Sequence, residues 1–136
     1  METALQLLGI QGNHTSVEMV ELLERGLTKR NYLNAKKNTG FSHQIMAVIL
    51  SVSTKTLEGK KSNDRLSDTA SERLLKLAEV AALGNHVFNS ADLFKEWLQR
   101  PLRPLGGKKP VELMVNMYGL ETVKTLLGRI EHHVYS

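Results

Sequence analysis

The chain has 136 residues, 41% of them apolar and 5% aromatic, with a formal net charge of +4 and no cysteine. That length buries one good core or two very small ones. Without cysteine there are no disulfides and no thiolate chemistry, and few routes to a zinc site remain. The longest apolar run, Ile45 to Leu50, is too short to cross a bilayer, and Met1-Glu2-Thr3 opens no signal peptide, so a cytoplasmic protein is expected.

Taken from the start, residues 1–13 hold a small apolar group, Leu5, Leu7, Leu8 and Ile10, before Gly12-Asn13, and read as a mobile arm or a loosely docked strand. Ser16 caps a helix to Arg25 that aligns Val17, Val20, Leu22 and Leu23, and Gly26 stops it. Thr28 caps the next helix, Lys29 to Asn38, which ends at Gly40. Between Arg25 and Arg65 nine Lys/Arg stand against two acids, a net +7, whereas residues 66–136 carry +1. Basicity confined to one segment reads as a phosphate-facing surface, or else as a solvated helix face.

That basic segment contains a helix-turn-helix spacing. Ser42 caps His43 to Leu50, the turn Ser51-Val52-Ser53 follows, and a second helix runs from Thr54 to about Lys61. Ala47 falls where the two helices cross, and Ser51 takes the turn position usually held by glycine. Met46, Leu50, Val52 and Leu57 supply the buried contacts. The second helix would lie in the major groove and present Ser53, Thr54, Lys55, Thr56 and Lys60 to bases and phosphates, with Lys61 beside them. Ser42 and Gln44 are placed to hold the backbone. Simpler roles stand beside these: Thr54 as a helix cap, and Lys60-Lys61 as solvated residues at a negative helix end.

Ser62 to Arg65 is a polar connector. From Ser67-Asp68 a long helix places Leu74, Leu77, Ala78, Ala81 and Ala82 in a stripe that ends at Gly84, a seam for either the core or a dimer. Asn89 or Ser90 starts the helix Ala91 to Arg100, which buries Leu93 or Phe94 with Trp97 and Leu98. Pro101 stops it, Pro104 keeps Arg103 extended, and Gly106-Gly107 can take positive φ. Pro110 suits the first turn of a helix that buries Val111, Met114 and Leu113 or Met117, and closes at Gly119. The last helix, Leu120 to His132, aligns Val123, Leu127 and Ile130.

The elbow also carries a resemblance. Trp97-x(7)-Leu105-Gly106-Gly107-x-x-Pro110-x-Glu112-Leu113, then Gly119, Val123, Leu126-Leu127 and Arg129-Ile130-Glu131-His132, resembles the toxin-binding domain of Xre/MbcA/ParS-type antitoxins. The likeness spans roughly residues 66–136 and extends more weakly over the N-terminal half. His133 stands where the family's closing pattern, Ile-x-x-Gly-Val-Tyr/Phe, has glycine. The resemblance implies an all-α chain with a helix-turn-helix domain at 1–65 and a toxin-binding domain at 66–136. It also implies a RES-class toxin that destroys NAD, neutralised by occlusion of its active site. On that basis Arg129, His132, His133, Val134, Tyr135 and Ser136 are expected to reach the toxin's cleft. Leu105, Gly106, Gly107, Pro110 and Met114 are expected to form or support the contact.

Chemistry is otherwise scarce. Five histidines occur, none in an i, i+4 pair with glutamate, and adjacent His132-His133 point about 100° apart on a helix, so no metal site is expected. Leu105 to Lys108 lacks the leading glycine of a phosphate loop, and no serine sits in a nucleophile elbow. Neither catalysis nor a cofactor is expected. A single helix-turn-helix gains affinity from two half-sites, so a homodimer that represses its own operon is expected. Two alternatives stand: a dimeric transcriptional regulator with no toxin partner, and an inhibitor module that has lost DNA binding.

Overall fold

Helix starts follow the residues able to cap them. Thr3, Thr15, Thr28, Ser42, Ser53, Ser67 and Ser90 each accept, through the side-chain oxygen, the backbone N–H three residues on. Each such cap contributes about 1 kcal/mol. The computed structural model describes residues 2–135, with side chains as far as His132. Its helices are α1 Ala4–Leu7, α2 Ser16–Arg25, α3 Lys29–Thr39, α4 His43–Leu50, α5 Thr54–Gly59, α6 Asp68–Phe88, α7 Ala91–Leu98, α8 Pro110–Leu113 and α9 Met117–Tyr135, with a 3₁₀ turn at Arg103–Leu105. The all-α expectation holds, and among the described residues the extended pairing is one isolated bridge, Thr28 to Arg65. No described helix is long and apolar enough to cross a membrane.

Helix α6 is the axis. It buries Ala70, Leu74, Leu77, Ala78, Val80, Ala81 and Gly84, residues that fall on more than one side of the cylinder. A helix apolar on several sides must be covered on several sides. Helices α1 to α4 cover it from one half of the chain, and α7 and α9 from the other. The stripe offered above as core or dimer seam is therefore core: Leu74, Leu77, Ala78 and Ala81 are buried and Ala82 half-buried against the core, where small side chains let neighbouring helices approach.

Several local expectations are corrected. The N-terminal arm is docked, with a helical turn capped by Thr3 and Gln6 and with Leu7 and Leu8 fully buried. Asn31 and Asn38 of α3 donate to the Leu8 and Leu7 carbonyls at 3.1 and 3.0 Å. The cap of α2 is Thr15, and Val17 and Val20 stay 66% and 55% exposed while Met19, Leu22 and Leu23 lean on the core. Helix α6 runs through Gly84 and ends at Asn89 in the left-handed region. Gly84 is there for space, since a Cβ would strike the Phe94 ring. Arg103 is not extended: it opens the 3₁₀ turn, and Leu102 is the extended residue. The helix expected at 110–119 stops after one turn, and Asn116 opens α9 by accepting the Gly119 N–H at 2.8 Å. Gly119 lies inside α9, where a Cβ would overlap the Leu113 carbonyl.

Ser62 to Arg65 is more than a connector. Leu66 N–H donates to the Leu27 carbonyl at 2.8 Å, Lys29 N–H to Asp64 at 3.0 Å, and Leu27 N–H to the buried Ser71 hydroxyl at 2.9 Å. These bonds clasp the strand-like entry to α6 against the α2–α3 corner. On the other side of α6, Arg73 donates from one guanidinium nitrogen to the Ile49 carbonyl at 3.4 Å and the Val115 carbonyl at 3.2 Å. One side chain thus touches the end of α4 and the bend before α9.

The packing of α9 against α8 and α6 can be tested at two places. Gly119→Ala should destabilise the fold by about 3 kcal/mol through overpacking against backbone. Gly128→Ala, in the same helix but with open space around it, should stabilise by about 0.5–1 kcal/mol; denaturant melts that fail to separate the two would refute this packing. Lys76 meets Glu121 at 2.9 Å and Glu79 at 3.2 Å, and Lys124 meets Glu79 at 3.6 Å. Burial alone would lower the Lys76 pKa, but hydrogen bonds and charge from Glu121 and Glu79 raise it overall. The hydrogen bond from Lys76, then its charge, holds Glu121 below the usual 4.5. A lowered carboxylate stabilises above 4.5 and loses that contribution as pH falls through its folded value. After solvent screening this is worth about 0.5 kcal/mol, so Lys76→Met should flatten stability against pH below 4.5, read from urea melts between pH 3 and 7.

Candidate functional site

Helices α4 and α5 form the helix-turn-helix. Met46, Leu50 and Leu57 are fully buried and Ala47 nearly so, while Val52 is only half-buried. Ser51 takes the left-handed conformation, φ 58°, at the turn. A residue other than glycine is strained there by about 1 kcal/mol. The turn is held by Val52 N–H donating to the Ala47 carbonyl at 3.0 Å.

A cleft of about 490 Å³ lies at this turn, lined by Gln44, Ala47, Val48, Ser51, Val52, Ser53 and Thr54. So Gln44, Ser53 and Thr54 are brought together. Ser42, Lys55 and Thr56 are exposed on the same two helices. Ser42 and Ser53 each spend their oxygen as caps, and Thr56 shares a 2.8 Å hydrogen bond with Ser53. The cap of α5 is Ser53, not Thr54. Val48, 58% exposed, is a surface residue that the sequence reading passed over, because it sits inside the run Ile45 to Leu50.

Helix α5 ends at Gly59, so Lys60 and Lys61 lie beyond it. The Lys60 ammonium turns back to the Arg65 carbonyl at 3.0 Å, the Lys29 ammonium donates to the Lys60 carbonyl at 2.7 Å, and Arg65 donates to the Gly26 carbonyl at 2.8 Å. Three of the nine basic groups in this segment are therefore engaged with the chain itself. Arg30, Lys37, Lys55 and Lys61 remain exposed. His43, at the start of α4, joins three helices: Nδ1 meets the Tyr32 hydroxyl of α3, and Nε2 lies 3.6 Å from Glu58 of α5. Burial raises the Tyr32 pKa.

The second site is the elbow. Phe88, Phe94 and Trp97 stack with ring centroids 5.7 to 6.4 Å apart, which fixes the end of α7 against α6. From there the chain closes on itself: Leu102 N–H donates to the Lys108 carbonyl at 3.1 Å, and Gly107 N–H to the Leu102 carbonyl at 2.9 Å. Gly106 and Gly107, at φ 66° and 84°, make that reversal. Between the elbow and α9 runs a groove made of two clefts of about 370 and 810 Å³ that share Pro104, Leu126 and Arg129. Leu105 and Tyr118 lie at one end, and Trp97, Leu102, Ile130 and His132 at the other.

Of the residues expected at a toxin, Leu105, Arg129 and His132 line this groove, and Gly106 and Gly107 are exposed beside it. Pro110 and Met114 are buried beneath, so their position is one of support. The last helix runs on to Tyr135, which puts Val134 and Tyr135 in its final turn rather than in a tail beyond it. The side chains of His133, Val134 and Tyr135, and all of Ser136, lie outside the described residues. Tyr118, 84% exposed at the groove's mouth, was missed because the sequence pattern put it at a helix end.

Comparison with known proteins agrees with both halves. Residues 18–79 match the antitoxin Xre-like helix-turn-helix domain, and residues 83–132 match the antitoxin Xre/MbcA/ParS C-terminal toxin-binding domain. Both matched models describe parts of Xre-type antitoxins. Among relatives, it is similar to a Prs ADP-ribosylating antitoxin from Sphingobium sp., 26% identical over 130 residues, covering 88% of this chain and 82% of that one. It is also similar to an antitoxin Xre from Pseudomonas putida, 29% identical over 77 residues, covering 56% of this chain and 48% of that one. The first match ends inside α6 and the second begins at Leu83, near its end, so the axis helix is shared by both parts.

Ser51→Gly should relieve the turn. Stability should rise by about 0.5–1 kcal/mol, the relief outweighing the extra freedom of the unfolded chain. Loss of stability on this change would mean that the Ser51 side chain makes a contribution the turn geometry does not account for.

Proposed function

We propose that this chain neutralises a toxin through residues 66–136 and binds its operator through residues 1–65, repressing its own operon. It acts as the antitoxin of a type II pair, without catalysis of its own and in the cytoplasm. The observation that carries the reading is the joining of two surfaces on one axis helix: a helix-turn-helix with its cleft exposed, and an open groove within the toxin-binding match. DNA contact centres on Gln44, Thr54, Lys55 and Thr56, with Ser42 and Ser53 ordering the helix starts and Lys61 adding charge. The working unit is a homodimer, since one helix-turn-helix reads one half-site; its seam is a surface other than the alanine stripe.

The partner proposed is a RES-class toxin that destroys NAD, blocked by Arg129, His132 and the last turn of α9 through Ser136. The Sphingobium relative, a Prs ADP-ribosylating antitoxin, supports a second form of the same reading, in which the toxin transfers ADP-ribose from NAD to a protein. Both consume NAD and differ in whether protein carries the product.

The test is co-expression with the protein encoded beside this chain. The expected result is a stable complex, with growth arrest and NAD loss appearing when this chain is withheld. Protein-bound ADP-ribose would select the second form. No complex and no toxicity would leave the dimeric regulator. For the DNA half, operator affinity should fall steeply with salt and drop roughly tenfold in Lys55→Glu. Salt-independent or undetectable operator binding would leave an inhibitor without DNA-binding activity.

A further inference from the structure

The groove between the elbow and α9 has a definite chemical character. Its floor is apolar, formed by Trp97, Leu102, Leu126 and Ile130, and Arg129 stands in both of its clefts. Its rim is basic. From Trp97 to Val111 the chain carries four Lys/Arg and no acid, and Arg100, Arg103 and Lys108 are exposed. Glu121, the acid that lines one cleft, is paired with Lys76 at 2.9 Å. Arg129 makes no ion pair among the described residues.

Trp97, Leu102, Leu126 and Ile130 leave apolar surface open beside the Arg129 charge, a combination that suits a partner's side chains. We infer that the groove receives an acidic segment of the toxin, anchored by apolar side chains on the Trp97–Ile130 floor and by a carboxylate on Arg129. This rests on the antitoxin reading above and deepens it. Contact runs both ways, because the end of α9 addresses the toxin while the toxin inserts a segment into this chain. Charge complementarity decides the sign of the occupant, since a basic or neutral segment would leave Arg129, the one Lys/Arg in both clefts, unanswered as it loses water. The closed elbow, pinned by the Leu102–Lys108 hydrogen bonds, holds the groove preformed, which reduces the ordering cost of binding.

The chain has no cysteine, so one introduced thiol is unique. Leu126→Cys, carrying a thiol-directed photo-crosslinker in the purified full-length complex, should mark a toxin peptide with Asp or Glu beside apolar residues. Arg129→Glu should weaken toxin affinity roughly tenfold or more, with Arg129→Gln intermediate and operator affinity unchanged in both. A complex that forms normally but gives no cross-link from the groove, or a cross-link to a basic peptide, would overturn the groove assignment alone; Arg129→Glu binding within twofold of wild type would overturn it and also remove Arg129 from the blocking contact proposed above. Absence of any complex with the unaltered chain would remove the antitoxin reading with it.

Discussion

A twenty-one-residue helix with buried residues around most of its circumference is stable only when several neighbours cover it at once. Helix α6 sets that condition for the whole chain. Leu74, Leu77, Ala78 and Ala81 cannot be dry unless the N-terminal helices and α9 are both in place. The helix-turn-helix and the part that matches the toxin-binding domain are therefore not two beads on a linker. They are two coats on one rod, and the Ser71 hydroxyl, the Lys76 ammonium and the Arg73 guanidinium all leave that rod to hold them.

Electrostatics at the helix-turn-helix are divided between holding and presenting. Lys29, Lys60 and Arg65 direct their charges at backbone carbonyls, stitching the end of α5 to the α2–α3 corner. Such bonds to a charged donor are stronger than neutral ones and give the corner its shape. The remaining cations are left for solvent or phosphate. A net charge counted along the sequence merges these two populations, and only the first is visible as structure.

The elbow works by exclusion of alternatives. Pro101 and Pro104 prevent a continuous helix, Gly106 and Gly107 allow the reversal, and Trp97 anchors the approach against Phe88 and Phe94. The groove is the consequence: α9 passes an arm that cannot fold down onto it. Its apolar floor remains open where an ordinary core would have closed.

What the sequence determined by itself was local. Cap residues, prolines and three-to-four spacing located the helix-turn-helix, α6, α7 and α9, because these signals act within one or two turns of the chain. The resemblance at Trp97 to His132 pointed to the same domain that comparison then matched. Tertiary structure decided what depends on a neighbour. Gly84 and Gly119 read as helix stops, yet they are contact points beneath Phe94 and the Leu113 carbonyl, and a glycine looks alike in both roles until the partner is seen. Leu7 and Leu8 looked like a loose arm because the asparagines that hold them lie more than twenty residues away. The alanine stripe was ambiguous between core and dimer, since small residues favour close approach to any helix, and the packing of α9 and the N-terminal helices on α6 settled which.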